Sequence, residues 1–421
     1  MKDSGIAWIG MIPDDWTVET GAHIFELLER PVKENDEVIT CFRDGEVTLR
    51  SKRREDGYTF SLKEIGYQGI EPGDLVVHGM DGFAGAIGIS DSRGKGTPVL
   101  NVLNSDHNKK FLMYSLRSMA YNDVFTSLST GIRVRSSDTG WKKLKSIPYA
   151  LPPAPVQNRI AAYLDKKCAG IDTLISMHQA VIDKLKEYKL SLITEVVTKG
   201  IIDSRPLKPT GFSYVSEIPS SWENRKLLRA LSMRVIDGPH ESPELFDEGI
   251  PYISATAIAN GHIDFSLQRG FISPEYCDEC DKRYKPQRND ILVIKLGAST
   301  GQVAIVETDD RFNIWVPLAA VRCNESAYPL FVYYAFQSDY FLRQMQQSWT
   351  YGTQQTLGVK SIEALHILLP PLDEQKEIAS FLKRRVGVID SSISTRESLI
   401  TKLAEYKKSL IYEVVTGKKE V

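Results

Sequence analysis

The segment Glu195-Val196-Val197-Thr198 recurs as Glu413-Val414-Val415-Thr416. It closes a longer copied stretch, which opens with Gln157-Asn158-Arg159-Ile160-Ala161 in the first copy and with Gln375-Lys376-Glu377-Ile378-Ala379 in the second. Between these ends the two stretches align without a gap. Roughly half of the aligned positions are identical, far beyond chance for a segment of this length. The chain therefore contains an internal duplication.

A shorter motif precedes each copy. Gly5-Ile6-Ala7-Trp8 through Ile12-Pro13-Asp14-Asp15-Trp16 matches Gly211-Phe212-Ser213-Tyr214 through Ile218-Pro219-Ser220-Ser221-Trp222. The order is motif, variable region and long repeat, and then the same three again after a linker at residues 199–210. This cyclic order predicts a pseudo-twofold body whose two ends lie close together.

The long repeats predict two helices. Leu-Pro-Pro at residues 151–153 and 369–371 stops the preceding element, because proline lacks the backbone N–H. Apolar residues then recur every three or four positions, which is the spacing of a coiled-coil seam. The predicted packing residues are Ile171, Leu174, Val181, Leu185, Tyr188 and Leu192 in the first helix, and Ile389, Ile393, Ile400, Leu403, Tyr406 and Leu410 in the second.

Each apolar stripe needs a partner, and the pseudo-twofold order makes the other copy its natural, antiparallel one. Asp172 and Asp390 are placed in the first helical turns, and Gly200 and Gly417 at the C-caps. From Ile171 to Val197 the helix would be about 40 Å long at ~1.5 Å per residue. This predicts a spacer that sets the distance between two lobes, with an ordinary helical hairpin as the alternative.

The two variable regions, about 20–150 and 225–368, are rich in predicted strands. The β-type runs are Glu46-Val47-Thr48-Leu49, Asp74-Leu75-Val76-Val77, Ile250-Pro251-Tyr252-Ile253 and Asp290-Ile291-Leu292-Val293-Ile294. The regions share one local pattern, in which an Asp and an apolar run are followed by two glycines, Gly82 and Gly85 in the first region and Gly297 and Gly301 in the second, and otherwise they differ strongly. Two matching spacers beside two divergent lobes predict that each lobe recognises a different target.

Basic, aromatic and amide residues interleave within the lobes and are the predicted DNA-binding residues. They are Arg50, Lys52, Arg53, Arg54, Arg133 and Arg135 in the first lobe, and Lys282, Arg283, Lys285, Tyr351, Gln354 and Gln355 in the second. Arg and Lys neutralise phosphates, while Arg also pairs with guanine and Gln with adenine in the major groove. The competing interpretation of each cluster is a solvated charged face.

Composition restricts these interpretations. A net charge of -2 is not that of a uniformly basic nucleic-acid-binding protein, so a DNA role depends on local clusters. Five scattered cysteines predict a reducing cytoplasm rather than a disulfide framework. No apolar run approaches the length of a membrane span, so no membrane association is expected.

These segments resemble the specificity subunits of Type I restriction-modification enzymes over almost the whole chain. The second lobe carries the resemblance in Asp237-Gly238-Pro239-His240, Gly249-Ile250-Pro251-Tyr252 and Gly261-His262-Ile263-Asp264-Phe265. The first lobe resembles a different recognition-domain subtype through Gly45-Glu46-Val47 and Pro72-Gly73-Asp74-Leu75-Val76. The long repeats resemble the family's two spacer regions, with one departure, Pro155-Val156-Gln157 against the usual Asp373-Glu374-Gln375.

The resemblance implies an α/β (α+β) fold with two globular target recognition domains separated by two long antiparallel coiled-coil helices. The implied domains are 1–150 and 201–368 for recognition, and 151–200 and 369–421 for the spacers. His240 joins the candidate DNA contacts. The implied function is non-catalytic: the chain binds a bipartite, asymmetric duplex target and docks two modification (methyltransferase) subunits and two ATP-driven restriction subunits. S-adenosylmethionine, ATP and magnesium would be bound by those partners, and no cofactor is expected here.

Other chemistries lack their residues. An adenine methyltransferase needs an acidic or amide residue before its Pro-Pro, whereas both Pro pairs here follow Leu. Gly88 to Lys95 lacks phosphate-loop spacing, and Gly96 stands where Ser or Thr is required. Cys277-Asp278-Glu279-Cys280 is a lone C-x-x-C, so no metal site is expected. The alternatives left open are a self-contained DNA methyltransferase or nuclease, and a coiled-coil scaffold with no DNA role.

Overall fold

The computed structural model describes residues 1–53, 64–127, 139–202, 204–351 and 354–421, without the side chain of Tyr351. The chain divides into two compact units, Met1–Gln179 together with Glu397–Val421, and Ala180–Arg396. Each unit contains one lobe and parts of both long helices. The division into recognition and spacer domains stays a prediction. Among the helices of these described ranges, none is long and apolar enough to cross a membrane.

The first lobe is a mixed α/β structure of short elements. Its strands are β1 Lys2–Asp3, β2 Met11–Ile12, β3 Thr17–Thr20, β4 Glu26–Leu27, β5 Ile39–Cys41, β6 Val47–Leu49, β7 Gln68–Ile70, β8 Leu75–His78, β9 Ile87–Ile89, β10 Gly94–Gly96, β11 Leu100–Asn104 and β12 Pro148–Leu151. Its helices are α1 Gly21–Ile24, α2 Lys109–Tyr121, α3 Val124–Ser127 and α4 Trp141–Leu144. The first long helix, α5, then runs over Ala154–Lys199.

The second lobe is built in the same way. Its strands are β13 Leu207–Phe212, β14 Val215–Pro219, β15 Glu223–Lys226, β16 Ile236–Asp237, β17 Ile250–Ile253, β18 Ile258–Ala259, β19 His262–Ile263, β20 Gly270–Ile272, β21 Ile291–Ile294, β22 Val303–Ile305, β23 Asn313–Ile314, β24 Leu318–Val321, β25 Thr350–Tyr351, β26 Gln355–Thr356 and β27 His366–Leu369. Its helices are α6 Pro274–Arg283, α7 Pro329–Phe336, α8 Asp339–Gln347 and α9 Val359–Ala364, followed by the second long helix, α10 Leu372–Val415.

Both lobes contain a four-stranded antiparallel sheet of the same topology, β4-β11-β8-β9 in the first and β16-β24-β21-β22 in the second. The central strands β8 and β21 are the apolar runs predicted from sequence, and both are buried. A buried carboxylate precedes each run and is ion-paired, Asp74 with Arg30 and Asp290 with Arg322. The duplication therefore extends into the lobes, and the predicted mixed α/β fold is confirmed.

A second strand pair in each lobe involves the short repeated motif. Strand β3, which follows Trp16, pairs with β12, and β15, which follows Trp222, pairs with β27. Both Trp side chains are buried among apolar residues of their own unit. The pairing brings the start of each lobe beside its last strand, directly before a long helix.

The two long helices begin earlier than predicted. Helix α5 starts at Ala154 and α10 at Leu372, immediately after the Pro pairs, so Asp172 and Asp390 are mid-helix and not in first turns. The early start is stabilised by apolar residues that pack against the lobes: Ile160, Ala161 and Leu164 in one unit, and Ile378, Ala379 and Leu382 in the other. At the other ends, Gly200 and Gly417 adopt left-handed φ values of 82° and 71°, as expected after a helix.

A buried glutamine attaches the start of each long helix to its lobe. Gln157 donates to the Pro152 carbonyl (2.9 Å) and accepts from the Asn108 backbone N–H (3.0 Å). Gln375 donates to the Pro370 carbonyl (2.8 Å) and accepts from the Tyr328 N–H (2.7 Å). The repeated Gln therefore satisfies backbone groups that the helix start and the neighbouring helix would otherwise leave unpaired.

The long helices pair in antiparallel fashion, as predicted. In one unit Lys407 of α10 contacts Asp172 of α5 at 2.7 Å. In the other, Lys189 of α5 contacts Asp390 of α10, also at 2.7 Å. The middle of each helix thus meets a later part of its partner, and the two ion pairs occupy equivalent positions of the repeat.

The buried stripe lies one position away from part of the predicted one. Ile171, Ile389, Ile393 and Leu410 are buried, and Leu185, Leu192, Ile400 and Leu403 are half-buried, whereas Leu174, Val181, Tyr188 and Tyr406 are exposed. The prediction was wrong at those last four positions. Ile182 is buried beside the exposed Val181, and Lys189 and Lys407 face the partner helix next to the exposed tyrosines. The interhelical Lys–Asp pairs explain this register, because they require Lys rather than Tyr on the facing side.

Candidate nucleic-acid interface

Two cationic side chains and one imidazole of the second lobe meet at the Asp237 carboxylate. Arg283 lies 2.6 Å from it, Lys295 2.7 Å and His240 3.1 Å. Burial alone would raise the pKa of Asp237, but the hydrogen bonds from Lys295 and His240 and the charge of Arg283 hold it below its usual value. Asp237 is therefore ionised at neutral pH, and three donors share one carboxylate at the end of β16.

The elements of the second lobe explain this convergence. Asp237 ends β16, and Lys295 follows the last residue of β21, where Ile294 pairs with Leu318 of β24. Arg283 is the last residue of α6, whose first turn begins with Pro274 after the capping side chain of Ser273. The ends of a sheet and of a helix thus bring together residues that are distant in sequence.

The hairpin of β25 and β26 lies beside the same sheet end. The backbone N–H of Gly297 donates to the Gln355 carbonyl (3.1 Å), and that of Leu357 donates to the Lys295 carbonyl (2.8 Å). Gln354, directly before β26, is exposed, and Gln355 is half-buried. Arg283 and His240 therefore share Asp237, and the segment that begins at Gln355 is bonded to the backbone of Lys295, the third partner of that carboxylate.

The other predicted DNA-binding residues of this lobe do not contact the Asp237 cluster in the described structure. Lys282 is exposed and pairs with Glu279 on its own helix, and Lys285 is exposed beyond the helix end. Tyr351 belongs to β25 by its backbone, but its side chain lies outside the described part of the structure. The structure thus places Arg283 and His240 in a shared cluster and does not do so for Lys282 or Lys285.

In the first lobe the described candidates lie close to the hairpin of β5 and β6 and contact neighbouring polar groups. Arg50 donates to the Thr40 hydroxyl (3.1 Å), and Lys52 contacts Ser92 (2.7 Å) and Asp91 (3.3 Å). Arg53 pairs with Asp44 and Glu46 and lies over the Phe42 ring, 4.2 Å from its centroid. Lys52 and Arg53 are matched by acids, so phosphate would have to replace their carboxylate partners. Arg54, Arg133 and Arg135 lie outside the described residues.

Sequence reasoning missed Asp237 and Lys295 as members of the site. Asp237 stood in the Asp-Gly-Pro-His segment that carried a family resemblance, which was the available signal, and Lys295 followed a recognised strand without any signal of its own.

Cys277 and Cys280 are free thiols on α6, and burial raises the pKa of Cys277 to about 11. In the part of the chain that the structure describes, no group of three or more His, Cys, Asp or Glu side chains is arranged to hold a metal ion.

Comparisons with known proteins agree on one family. The model for the Type I restriction modification DNA specificity domain matches residues 237–400. The chain is 25% identical to the putative type I restriction enzyme MjaX specificity subunit of Methanocaldococcus jannaschii, with 97% of this chain and 95% of that protein aligned. It is also 25% identical to the type I restriction enzyme EcoBI specificity subunit of Escherichia coli, over 83% of this chain and 74% of that one.

A solved structure shows the same fold. A chain from a study of complex assembly and conformational transition of the type I R-M system matches with a TM-score of 0.70 and 14% identity, covering 97% of this chain and all of its own length (100%). The likeness spans both lobes and both long helices, so the architecture described above is that of a known fold.

Proposed function

We propose, on the premise that the chain belongs to the family of Type I restriction-modification specificity subunits, that each of its two lobes reads one half of a bipartite, asymmetric duplex DNA target. A member of this family supplies DNA recognition and not catalysis.

The observation that carries the proposal is the pair of matched sheets with unlike surroundings. The sheets β4-β11-β8-β9 and β16-β24-β21-β22 have the same strand order and orientation. The cations beside them differ: in the second lobe they converge on one carboxylate, whereas in the first they lie near a hairpin with separate partners. One scaffold with two different polar surfaces is what recognition of two different sequences requires, because base edges are read by individual side chains.

We also propose that the long helices set the gap between the half-sites. Each helix is continuous, over 46 residues in α5 and 44 in α10, and each is fixed to a lobe by a buried Gln. A continuous helix with antiparallel ion pairs resists bending and extension, since its backbone hydrogen bonds are internal. The number of residues in these helices would therefore determine how many base pairs remain unread.

The partners proposed are two modification subunits, bound at equivalent surfaces, and two restriction subunits. Val181 and Tyr188 are exposed on α5 within one unit, and their repeat counterparts Leu399 and Tyr406 are exposed on α10 within the other. Matched apolar positions, one set on each unit, suit two copies of one partner. Trp16 and Trp222 of the short repeated motif are buried in their own units, so they are not available for direct contact with a partner.

S-adenosylmethionine, ATP and magnesium are proposed to be bound by those partners. The location proposed is the cytoplasm, where free thiols such as the five of this chain persist.

The direct test of partner docking is stoichiometry. Native mass spectrometry should give two modification subunits per wild-type chain, and one for either Tyr188→Asp or Tyr406→Asp, because each charge blocks one surface. Thr173→Asp, an exposed helix position elsewhere in the repeat, is the control and should retain two. A single modification subunit on the wild-type chain at saturation would contradict the proposal.

The function itself is tested by mapping methylated bases in the DNA of host cells that supply the partner subunits. The maps are compared between cells with and without this chain. The expected result is one asymmetric motif of two short blocks separated by a fixed gap, present only with the chain. Methylation that does not depend on the chain, or a single continuous motif, would contradict it.

A further inference from the structure

The Asp237 cluster combines a buried ion pair with two exposed side chains, the guanidinium of Arg283 and the imidazole of His240. The side chains of Asp237 and Lys295 are only 11% and 9% exposed, whereas those of Arg283 and His240 are 53% and 69% exposed. Lys295 compensates the charge of Asp237 in the interior. The positive charge of Arg283 is therefore left over, and the cluster presents a net cation to solvent although its centre is a carboxylate.

The backbone that carries the cluster is held in place. A Cβ on Gly238 would lie 2.3 Å from the Ile314 carbonyl oxygen, so only glycine fits between Asp237 and Pro239. The Val316 N–H donates to the Pro239 carbonyl (3.2 Å), the Lys295 N–H to the Pro317 carbonyl (2.8 Å), and the Trp315 indole to the Glu241 carbonyl (3.0 Å). Segments 237–241 and 314–318 are thus held together by backbone and indole hydrogen bonds. Because the backbone is fixed, the contacts with the Asp237 carboxylate determine how the side chains of Arg283 and His240 are oriented.

We propose that Asp237 is a positioning residue that orients Arg283 and His240 to bind a backbone phosphate of duplex DNA. The inference rests on the proposed DNA-binding function and adds a ligand class and residue roles to it. A phosphate oxygen replaces water at the exposed faces of Arg283 and His240, while Lys295 keeps Asp237 ionised and in place. Phosphate contacts fix the register of a protein on the duplex, so this contact would place the Gln354 hairpin against base edges.

The direction in which the DNA affinity changes when Asp237 loses its charge distinguishes two mechanisms. If its charge acted only through space, removing it would strengthen the binding of DNA, which is a polyanion. If it acts by holding Arg283, removing it should weaken binding, because the cation is no longer aimed at the phosphate. The two mechanisms therefore predict opposite changes for Asp237→Asn.

The test uses the full-length chain and a mixed-sequence duplex of about 30 base pairs, titrated between about 50 and 200 mM salt, because phosphate contacts do not depend on sequence. Arg283→Gln should lower the affinity roughly tenfold and reduce the salt slope by about one. Asp237→Asn should do the same, and the double variant should be no weaker than either single one, because the two residues act as one unit. Thermal melts verify that each variant is folded.

Two further variants make the result decisive. Asp237→Asn with Lys295→Met removes both charges of the buried pair, so a folding defect caused by an unpaired lysine is avoided. It should bind as weakly as Asp237→Asn. Arg288→Gln is the matched control, since Arg288 is a half-exposed arginine paired with Asp309 at the opposite end of β21, and it should leave the salt slope unchanged.

Tighter binding by Asp237→Asn, additive losses in the double variant, or an equal effect of Arg288→Gln would each overturn the inference. A wild-type chain that binds no duplex at any salt concentration would instead overturn the proposed function. The two failures are thus distinguishable.

Discussion

Replacing Gln375 by Ala removes the amide that attaches the start of α10 to its lobe. The side chain is buried and bonds the Pro370 carbonyl at 2.8 Å, the Ser326 carbonyl at 3.0 Å and the Tyr328 N–H at 2.7 Å. Ser326 is exposed, so water replaces that bond, but the Pro370 carbonyl and the Tyr328 N–H lose their partner inside the protein. At about 1–3 kcal/mol for each unsatisfied buried group, the expected loss is about 3 kcal/mol.

Calorimetry of the full-length chain measures this loss. In a unit of this size, about 3 kcal/mol lowers the Tm by roughly 6–12 °C. Gln157→Ala should produce a similar loss in the other unit, because Gln157 bonds the Pro152 carbonyl and the Asn108 N–H. Hydrogen exchange should locate the two effects separately, at the amide of Tyr328 in one variant and at the amide of Asn108 in the other.

A second substitution tests the geometry of the same site. Gln375→Glu keeps an acceptor for the Tyr328 N–H but turns an oxygen toward two carbonyls, so it should destabilise at least as much as Ala. Gln346→Ala, an exposed helical Gln in the same unit, is the control and should stay within about 0.5 kcal/mol of wild type. The reasoning is refuted if Gln157→Ala and Gln375→Ala are both as stable as that control.

Two predictions concern the long helices. Leu185→Asp or Leu403→Asp places a charge on the half-buried stripe that faces the partner helix, and it should lower the free energy of unfolding by about 2 kcal/mol, measured by chemical denaturation. Tyr188→Asp on the exposed face should lower it by less than about 0.5 kcal/mol. Equal losses would reject the observed register. Inserting four residues after both Lys184 and Lys402, between the ion-paired ends, lengthens each helix by ~6 Å. Methylation mapping should then show a gap longer by one or two base pairs of ~3.4 Å each, with unchanged half-sites; an unchanged gap would mean that the partner subunits set the distance.

Much of the fold was predictable because the sequence contains an internal duplication. The repeat located both long helices, and the runs at Leu75 and Ile291 located the central strand of each sheet. The facing stripe was not determined, since apolar residues stand side by side at Leu174-Ile175, Val181-Ile182 and Leu192-Ile193, and either row fits helical spacing. The choice depends on Lys189 meeting Asp390 and Lys407 meeting Asp172, which sequence spacing does not reveal.

The candidate site was predictable only in part. Arg283 and His240 could be selected as a cation and a motif residue, but their common carboxylate could not, because residues 237, 283 and 295 meet only after the sheet and α6 have formed. The sequence also does not reveal which basic residues are paired with acids in the folded chain. Arg53 appears in sequence as part of a basic run, and in the structure it is paired with Asp44 and Glu46.

The central claim is that each lobe reads its own half of the target. The most direct measurement exchanges residues 20–150 for the corresponding lobe of another specificity subunit and maps methylated bases in cells that supply the partner subunits. The account predicts that one half-site changes while the other half-site and the gap stay as they were. A change in both half-sites, or in neither, would contradict it.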